Sequence, residues 1–190
     1  MTGRIAILIF CPLLLLAGCG QSRTTVSTLT TPAPADGART LAYSAAGISF
    51  QAPRNWEVLA ERLPLVTAVR SGAAVIALWR YPQREPLPSS PSELARARRQ
   101  LLGILRVRPS TVAVIASRIT RVAGARAIVV ESLQRIAGRV SRVRSTHVFA
   151  FGAETVVDEY APLELFASVD RAVFSPLLRS LLITRPASRP

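Results

Sequence analysis

The chain has 190 residues, a formal net charge of +13, two cysteines and one histidine, and every basic residue is arginine. This length is enough for one ordinary domain with its own core. The arginines are dispersed rather than interleaved with aromatic residues, and no nucleic-acid-binding motif is present, so the charge predicts attraction to polyanions in general but no nucleic-acid partner.

The N-terminal segment has the layout of a secretory signal peptide. Arg4 precedes the apolar run IAILIFCPLLLLAG, which is too short for a membrane span of about 20 residues. The run ends in Leu16-Ala17-Gly18-Cys19. This ending resembles the bacterial lipobox, in which the cysteine sulfur receives a diacylglycerol and the lipoprotein signal peptidase cuts before it. The alternative is an ordinary signal peptide with a chance cysteine.

The lipobox resemblance implies that Leu16, Ala17 and Gly18 are read by the peptidase and that residues 1–18 are removed. Cys19 would then hold the mature chain on the extracytoplasmic face of the cell membrane through a palmitate-type lipid. The only other cysteine, Cys11, is lost with the leader. A disulfide within the mature chain is therefore excluded, as is a structural zinc site built from several thiolates.

Residues 19–40 are rich in Thr, Ser, Pro and Gly and contain hardly any large side chain. Such a segment buries too little apolar surface to offset its ordering entropy, so it is predicted to be a flexible tether. The globular domain is predicted at 41–184 and a disordered tail at 185–190. Loss of Arg4 leaves 23 arginines against 11 acidic residues, a net charge of +12.

The domain begins with a pattern typical of an antiparallel meander. Ile48 and Phe50 alternate with polar residues up to Pro53, and a second short strand follows PRNW with Trp56 and Val58 on one side. The runs LVTAVRS and AAVIALWRYP are joined around Ser71-Gly72.

The period then changes to that of a helix. Ser90-Pro91-Ser92-Glu93 forms a capping box with proline at the first helical position. Leu94, Ala97, Leu101 and Leu105 share one face, and an arginine-rich face lies opposite. That second face is either an anionic-surface patch or simply a solvated helix face.

From Thr111 to Ala161 the pattern predicts a long β region with turns at Ala123-Gly124, Ala137-Gly138 and Gly152-Ala153. Glycine at the first central position favours a type II′ hairpin at Gly152-Ala153, which pairs His147 with Asp158. The turn at Ala137-Gly138 pairs Glu131 with Arg144.

These registers sort the side chains into two faces. The face predicted to be core holds apolar residues and the lone pair His147 and Asp158. The face predicted to meet water or a groove holds Glu131, Arg142, Arg144, Thr146 and Glu159. The His147–Asp158 pair is interpreted as a structural cross-strand pair rather than a catalytic one, because no nucleophile elbow accompanies it. A helix starting near Ser168 should then pack Val169, Val173, Leu177 and Leu181 on the sheet, with a kink or restart at Pro176.

GISFQAPRNW, the central hairpins, and YAPLELF through FSPLLRSLLI together resemble the PsbP-like superfamily. That superfamily includes the extrinsic photosystem protein, Mog-type proteins and LpqN-type bacterial lipoproteins. The resemblance covers about residues 42–184 and implies an α+β fold, an α/β/α sandwich with one antiparallel sheet and helices packed on it. It also implies binding to partners rather than catalysis. The metal and photosystem contacts of the plant protein have no matching motif here.

The predicted function is therefore a lipid-anchored, non-enzymatic envelope module that binds or scaffolds a partner protein or an envelope component, without cofactor or metal. The predicted partners are an envelope protein or an anionic envelope polymer. Arg142, Arg144, Trp56 and Trp79 are the candidate binding surface. A small-molecule or lipid carrier with a pocket between sheet and helices is the alternative, since Trp56, Trp79 and Tyr160 can supply apolar walls. Such aromatics are more often ordinary core, because large aromatic side chains dominate core burial. An enzyme using His147 and Asp158 is a third interpretation.

Overall fold

The computed structural model describes residues 30–60 and 62–187, so the predicted signal peptide and Cys19 lie outside the described residues. The described part contains, in chain order, β1 (Ala38–Tyr43), a 3-10 turn (Ser44–Ala46), β2 (Ile48–Pro53), β3 (Glu57–Ala60), β4 (Leu65–Ser71), β5 (Ala74–Pro82), α1 (Pro91–Val107), β6 (Thr111–Val122), β7 (Ala125–Ile136), β8 (Arg139–Ala150), β9 (Ala153–Pro162), α2 (Leu163–Val169), a π-helical turn (Asp170–Phe174), α3 (Ser175–Ser180) and β10 (Leu182–Ile183).

Seven of the strands form one antiparallel sheet in the order β3-β4-β5-β9-β8-β7-β6. The chain leaves β5 in the interior of the sheet and re-enters at β6 on its edge. α1 makes this crossing, and the β6–β9 meander then returns to β5. The connection explains why α1 lies across one face of the sheet.

The other face carries α2, the π-helical turn, α3 and a second, three-stranded antiparallel sheet in the order β1-β2-β10. The layers confirm the predicted α+β sandwich. The small sheet was not predicted as separate, since β10 is only two residues long and pairs with β2 from the far end of the chain.

The predicted capping box begins α1. Ser90 Oγ accepts a hydrogen bond from the Glu93 backbone N–H at 3.2 Å, and the Glu93 carboxylate accepts from the Ser90 N–H at 2.9 Å. These backbone and hydroxyl donors lower the pKa of Glu93 to about 2. Leu94 is buried against Ile128 and Val130, which confirms the predicted apolar face of the helix.

The C-terminal helix begins at Leu163, earlier than predicted, and changes to a π-helical turn before α3. Pro176 is the reason for the interruption, because it has no N–H and its ring opposes the carbonyl four residues earlier. The Ser175 N–H bonds instead to the Asp170 carbonyl. The predicted stripe of Val169, Val173, Leu177 and Leu181 is buried as expected.

The folded part extends beyond both predicted boundaries. Within the predicted tether, Ala38 to Thr40 belong to β1, and residues 30–36 bond to the domain through their backbone. One such bond joins the Ala73 N–H to the Thr30 carbonyl at 2.8 Å. Within the predicted tail, the Ala187 N–H donates to the Ser44 carbonyl at 3.0 Å. These contacts use main-chain groups, which composition does not reveal.

The register at the last hairpin differs from the prediction by two residues. Its turn is Phe151-Gly152, both with positive φ (49° and 67°), rather than Gly152-Ala153. Two positive φ values in a two-residue loop are typical of a type I′ turn. His147 therefore faces Val156, and Asp158 faces Ser145. The register predicted at Ala137-Gly138 is confirmed, since Glu131 faces Arg144.

The sequence correctly sorted the side chains onto the two faces of the large sheet. The face predicted to hold the main core is, however, the wrong one. We call them the α1 face and the α2 face after the helices that cover them. The α2 face, predicted to be water-facing, buries the largest apolar cluster of the described residues, including Ala127, Val148, Val157 and Ala161. The charged residues of the α2 face lie at one end of the strands, and the rest of that face is mainly apolar. The charged residues alone therefore led to the wrong prediction that the whole face meets water.

Candidate anion-binding cleft

Three neighbouring strands place a row of charges on the α2 face. Glu131 on β7 faces Arg144 on β8, which faces Glu159 on β9. Arg142 lies two residues from Arg144 and therefore points to the same side of the sheet. The row lies where α2 gives way to the π-helical turn, so helix and sheet together form the walls of a cleft.

Arg144 connects the sheet to the helix. Its Nε donates to Glu159 Oε2 at 2.5 Å and its Nη2 donates to Asp170 Oδ1 at 2.7 Å. Ser175 Oγ donates to the same Asp170 oxygen at 2.8 Å. Burial alone lowers the pKa of Arg144, but the bonds and charges of Glu159 and Asp170 outweigh burial and raise it.

Glu159 is the most deeply buried charged group of this row, with a side chain that is 0% exposed. Burial raises the pKa of Glu159 to about 7; Arg144 opposes this shift, and the charges of Asp170 and Asp158 add to it. Its Oε1 atom has no hydrogen-bond partner within the described residues. Keeping Glu159 ionised in this buried position therefore costs free energy.

Arg142 is more exposed and bonds differently. Its Nε donates to Glu131 Oε2 at 3.1 Å, and its Nη2 donates to the same oxygen. Its guanidinium carbon lies 5.0 Å from the centroid of the Phe166 ring, a cation–π distance. Arg118 also approaches Glu131, at 3.5 Å.

The opposite wall adds two further arginines, Arg171 from the π-helical turn and Arg179 from α3. Both side chains are exposed, and neither bonds to another residue of the described ranges 30–60 and 62–187. The cleft between the walls has a volume of about 460 Å³. We call it the arginine cleft; it is lined by Glu131, Arg142, Arg144, Phe166, Ala167, Asp170, Arg171, Ser175 and Arg179.

The four residues predicted as one binding surface lie in three places. Arg142 and Arg144 line the arginine cleft. Trp56 is buried, and its Nε1 donates to the Ala33 carbonyl at 3.2 Å. Trp79 is buried on the α1 face and stacks on Tyr81. Both tryptophans therefore pack in the domain core.

Sequence reasoning missed Arg171 and Arg179. The sequence does place both arginines next to the buried stripe of the C-terminal helix. Arg171 lies between the buried Val169 and Val173, and Arg179 lies between the buried Leu177 and Leu181. The stripe alone does not say which polar neighbours face a cleft. That requires knowing that the helix lies over β8.

A second, smaller cavity lies between α1 and the sheet. Its volume is about 70 Å³, and its lining includes Leu101, Val143 and Tyr160 together with Ser145, His147 and Asp158. Ser145 Oγ donates to Asp158 Oδ1 at 2.6 Å, and His147 Nδ1 lies 2.6 Å from Glu154 Oε1. The predicted His147–Asp158 cross-strand pair is therefore replaced by two other pairs.

Among the described residues, no group of three or more His, Cys, Asp or Glu side chains is arranged to hold a metal ion. In the same part of the chain, no helix combines the length and the apolar character needed to cross a membrane.

No family model matches this sequence, and no curated protein matches it. Its fold is similar to several solved structures. The solution structure of cyanobacterial PsbP (CyanoP) from Synechocystis matches with a TM-score of 0.60 at 12% identity, covering 89% of this chain and 99% of that one. A crystal structure from Bacteroides thetaiotaomicron matches with 0.53 at 8% identity, covering 80% of this chain and 50% of that one.

LpqN, involved in cell envelope biogenesis of Mycobacterium tuberculosis, matches with a TM-score of 0.48 at 15% identity, covering 78% of this chain and 91% of that one. The similarity to CyanoP confirms a PsbP-like fold. At these identities the likeness concerns the fold alone, and function must be argued from the residues of this chain.

Proposed function

We propose that this chain is a lipid-anchored, extracytoplasmic binding module without catalytic activity, and that the arginine cleft binds an acidic component of the cell envelope. The anchor is supported by Leu16-Ala17-Gly18-Cys19 at the end of an apolar leader. In its native host, Cys19→Ser should abolish labelling by radioactive palmitate and release the chain from membranes. Retention of both properties would contradict the anchor.

Binding at the cleft is supported by two guanidiniums that have no partner among the described residues. Arg142 and Arg144 are neutralised by nearby carboxylates, whereas Arg171 and Arg179 are not. The cleft therefore carries a local excess of positive charge beside the Phe166 ring. A cleft lined by one sign of charge attracts ligands of the other sign, and planar guanidiniums bind carboxylates and phosphates well.

The absence of catalysis is supported by how the polar groups near α1 are bonded. Ser145 donates to Asp158, and His147 is oriented by Glu154. No hydrogen bond links Ser145 to His147 within the described ranges. A nucleophile activated by a general base needs that bond.

The test compares two double variants of the full-length, lipidated chain in neutral detergent. Arg171→Glu with Arg179→Glu reverses the two exposed charges of the cleft. Arg96→Glu with Arg99→Glu makes the same charge change on the exposed face of α1. We expect the first variant to lose at least about tenfold in affinity for immobilised acidic envelope polymer, and the second to lose little. Equal losses would mean that only net charge matters and would contradict the cleft.

A small-molecule carrier is the second candidate function, and the space under α1 favours it. Beside the cavity of about 70 Å³ lies another of about 280 Å³, and both are lined by Leu101 and Ile104. Apolar walls with a few polar groups are typical of ligand sites. Native mass spectrometry of the chain extracted from its own membranes tests this candidate, because a reproducible small adduct that persists without Cys19 would identify a carrier.

A further inference from the structure

The buried salt bridge beneath the arginine cleft contains one cation and two anions. Arg144 contacts both Glu159 and Asp170, and when both carboxylates are ionised the group carries a net negative charge. An anion entering the cleft must approach this excess of negative charge. Removing one of the two negative charges would therefore favour the ligand.

Glu159 is the carboxylate that can lose its charge most readily. Asp170 is partly exposed, with a side-chain exposure of 28%, whereas Glu159 is completely buried and one of its oxygens has no hydrogen-bond donor in residues 30–60 and 62–187. Solvent and Ser175 support the charge on Asp170, but for Glu159 the described part of the chain provides only Arg144. Protonation of Glu159 would remove a buried charge, and its pKa near 7 places that event close to neutral pH.

The charged groups around Glu159 determine how its protonation changes the charge of the cleft. β8 contributes Arg144, the π-helical turn contributes Asp170, and Asp158 adds a charge from the neighbouring position of β9. From β5 the facing residue is the apolar Ile76. β7 contributes Glu131, which lies beyond Arg144 in the row. When Glu159 takes up a proton, Arg144 keeps Asp170 as an anionic partner, and the cleft becomes more positive by one charge.

We propose that the arginine cleft binds a phosphodiester group and that this binding is coupled to the uptake of one proton by Glu159. The proposal rests on the anion-binding function proposed above. The proton comes from solvent, and no covalent bond forms or breaks. By linkage, lower pH strengthens anion binding and bound anion raises the proton affinity of Glu159 to the same extent.

Phosphodiesters fit this site because the exposed guanidiniums of Arg171 and Arg179 line the cleft, and planar guanidiniums bind phosphate groups well. A phosphodiester also keeps one negative charge from acidic to alkaline pH, so any pH dependence of its binding must come from the protein. Two sources share this chemistry, namely a phospholipid headgroup and a phosphodiester polymer of the envelope. Glycerophosphoglycerol represents the first source and soluble poly(glycerol phosphate) represents the second. A preference for the monomer unit or for the polymer distinguishes them.

The experiment is titration calorimetry of the full-length chain in neutral detergent with each probe. Measurement in buffers of different ionisation enthalpy gives the number of protons taken up per ligand bound. We expect binding about tenfold tighter at about pH 5.5 than at about pH 8.5, with a fractional proton uptake that is largest near the pKa of Glu159. Glu159→Gln should bind with an affinity that does not change with pH and should take up no proton.

Two further variants test whether the proton is taken up by Glu159 or by His147. Asp170→Asn removes a negative neighbour of Glu159, so the uptake maximum should move to lower pH; it also covers the case in which Glu159→Gln does not fold. His147→Gln should leave the uptake unchanged, because His147 lies on the α1 face, away from the cleft. Loss of uptake in that variant would assign the proton to His147 and overturn the proposal.

The outcomes also separate this coupling from the proposed function. If the wild type binds a probe, and Arg171→Glu with Arg179→Glu does not, but affinity is independent of pH, the coupling is wrong and the cleft function stands. If neither probe binds at any pH, the phosphodiester proposal fails, and the cleft function is decided by the envelope-polymer test described above. If the double variant binds as the wild type does, both proposals fail.

Discussion

Arg142 and Arg144 permit a sharp test of the charge row, because the same residue type occupies the same face of one strand in two environments. The side chain of Arg144 is 9% exposed and that of Arg142 is 35% exposed. Replacement of each by methionine removes the charge and keeps most of the volume of the side chain. The two variants therefore differ mainly in what happens to the carboxylates left behind.

Arg144→Met leaves Glu159 buried without a counterion. Breaking a buried ion pair in this way typically costs about 3–5 kcal/mol in the free energy of unfolding. Arg142→Met leaves Glu131, whose side chain is only 11% exposed but which keeps Arg118 as a counterion at 3.5 Å. Loss of such a partly exposed pair costs at most about 1 kcal/mol.

The decrease in the free energy of unfolding caused by Arg144→Met should also depend on pH. Glu159 has a folded-state pKa raised to about 7, so between its unfolded value near 4.5 and that pH the native chain binds more protons than the unfolded chain. Stability then falls as pH rises through this window, and removing Arg144 raises the pKa of Glu159 further. At about pH 5 Glu159 is neutral in the native state, and the loss should shrink to about 1–2 kcal/mol, that of the broken hydrogen bonds.

Urea unfolding followed by far-UV circular dichroism at about pH 5 and about pH 8 measures both effects. Equal losses for the two methionine variants, or a loss in Arg144→Met that does not change with pH, would refute the description of Glu159 as a buried, charge-dependent partner of Arg144.

Five other substitutions test separate parts of the fold by the same unfolding assay. Ser90→Ala should cost about 1 kcal/mol because it removes the N-cap of α1, whereas Ser90→Asp should retain stability; equal losses would contradict the cap. Gly103→Ala should stabilise α1 by about 0.5–1 kcal/mol because its side of the helix is open, whereas Gly47→Ala should destabilise the domain, since its φ is +61° and a Cβ there would lie 2.3 Å from the Thr184 carbonyl. His147→Ala should cost about 1–3 kcal/mol by leaving the Glu154 carboxylate without its imidazole partner, and a variant of unchanged stability would reopen a catalytic role for His147.

The hairpins show how far local sequence determines the register. The turn at Ala137-Gly138 was placed correctly, and with it the pairing of Glu131 with Arg144. The last turn was misplaced because positive φ was assigned to Gly152 alone, whereas Phe151 also adopts a positive φ of 49°. The hairpin at Ala123-Gly124 has the same pair of positive φ values. Three turns of the form X-Gly thus share one geometry, and this repetition was the signal that the sequence contained.

The assignment of the core failed for a different reason. Periodicity in β7, β8 and β9 correctly sorts residues into two faces, but whether a face is covered depends on elements far away in the chain. Strands β1, β2 and β10 and the C-terminal helix all cover the α2 face. Their contacts join residues more than 100 positions apart, such as the Gln51 N–H and Ser180 Oγ. No local sequence pattern in the long hairpins indicates that these distant elements cover the α2 face.

The π-helical turn explains why the arginine cleft exists where it does. Pro176 removes one donor from the helical ladder, and the chain responds by widening the preceding turn so that the Ser175 N–H reaches the Asp170 carbonyl. In this geometry Val173 and Phe174, two consecutive residues, are both buried. Asp170 is meanwhile held over Arg144 by its bond to Ser175, and Arg171 follows it at the exposed rim. A change in the helix caused by one proline therefore places an anchoring carboxylate and an exposed guanidinium side by side at the cleft.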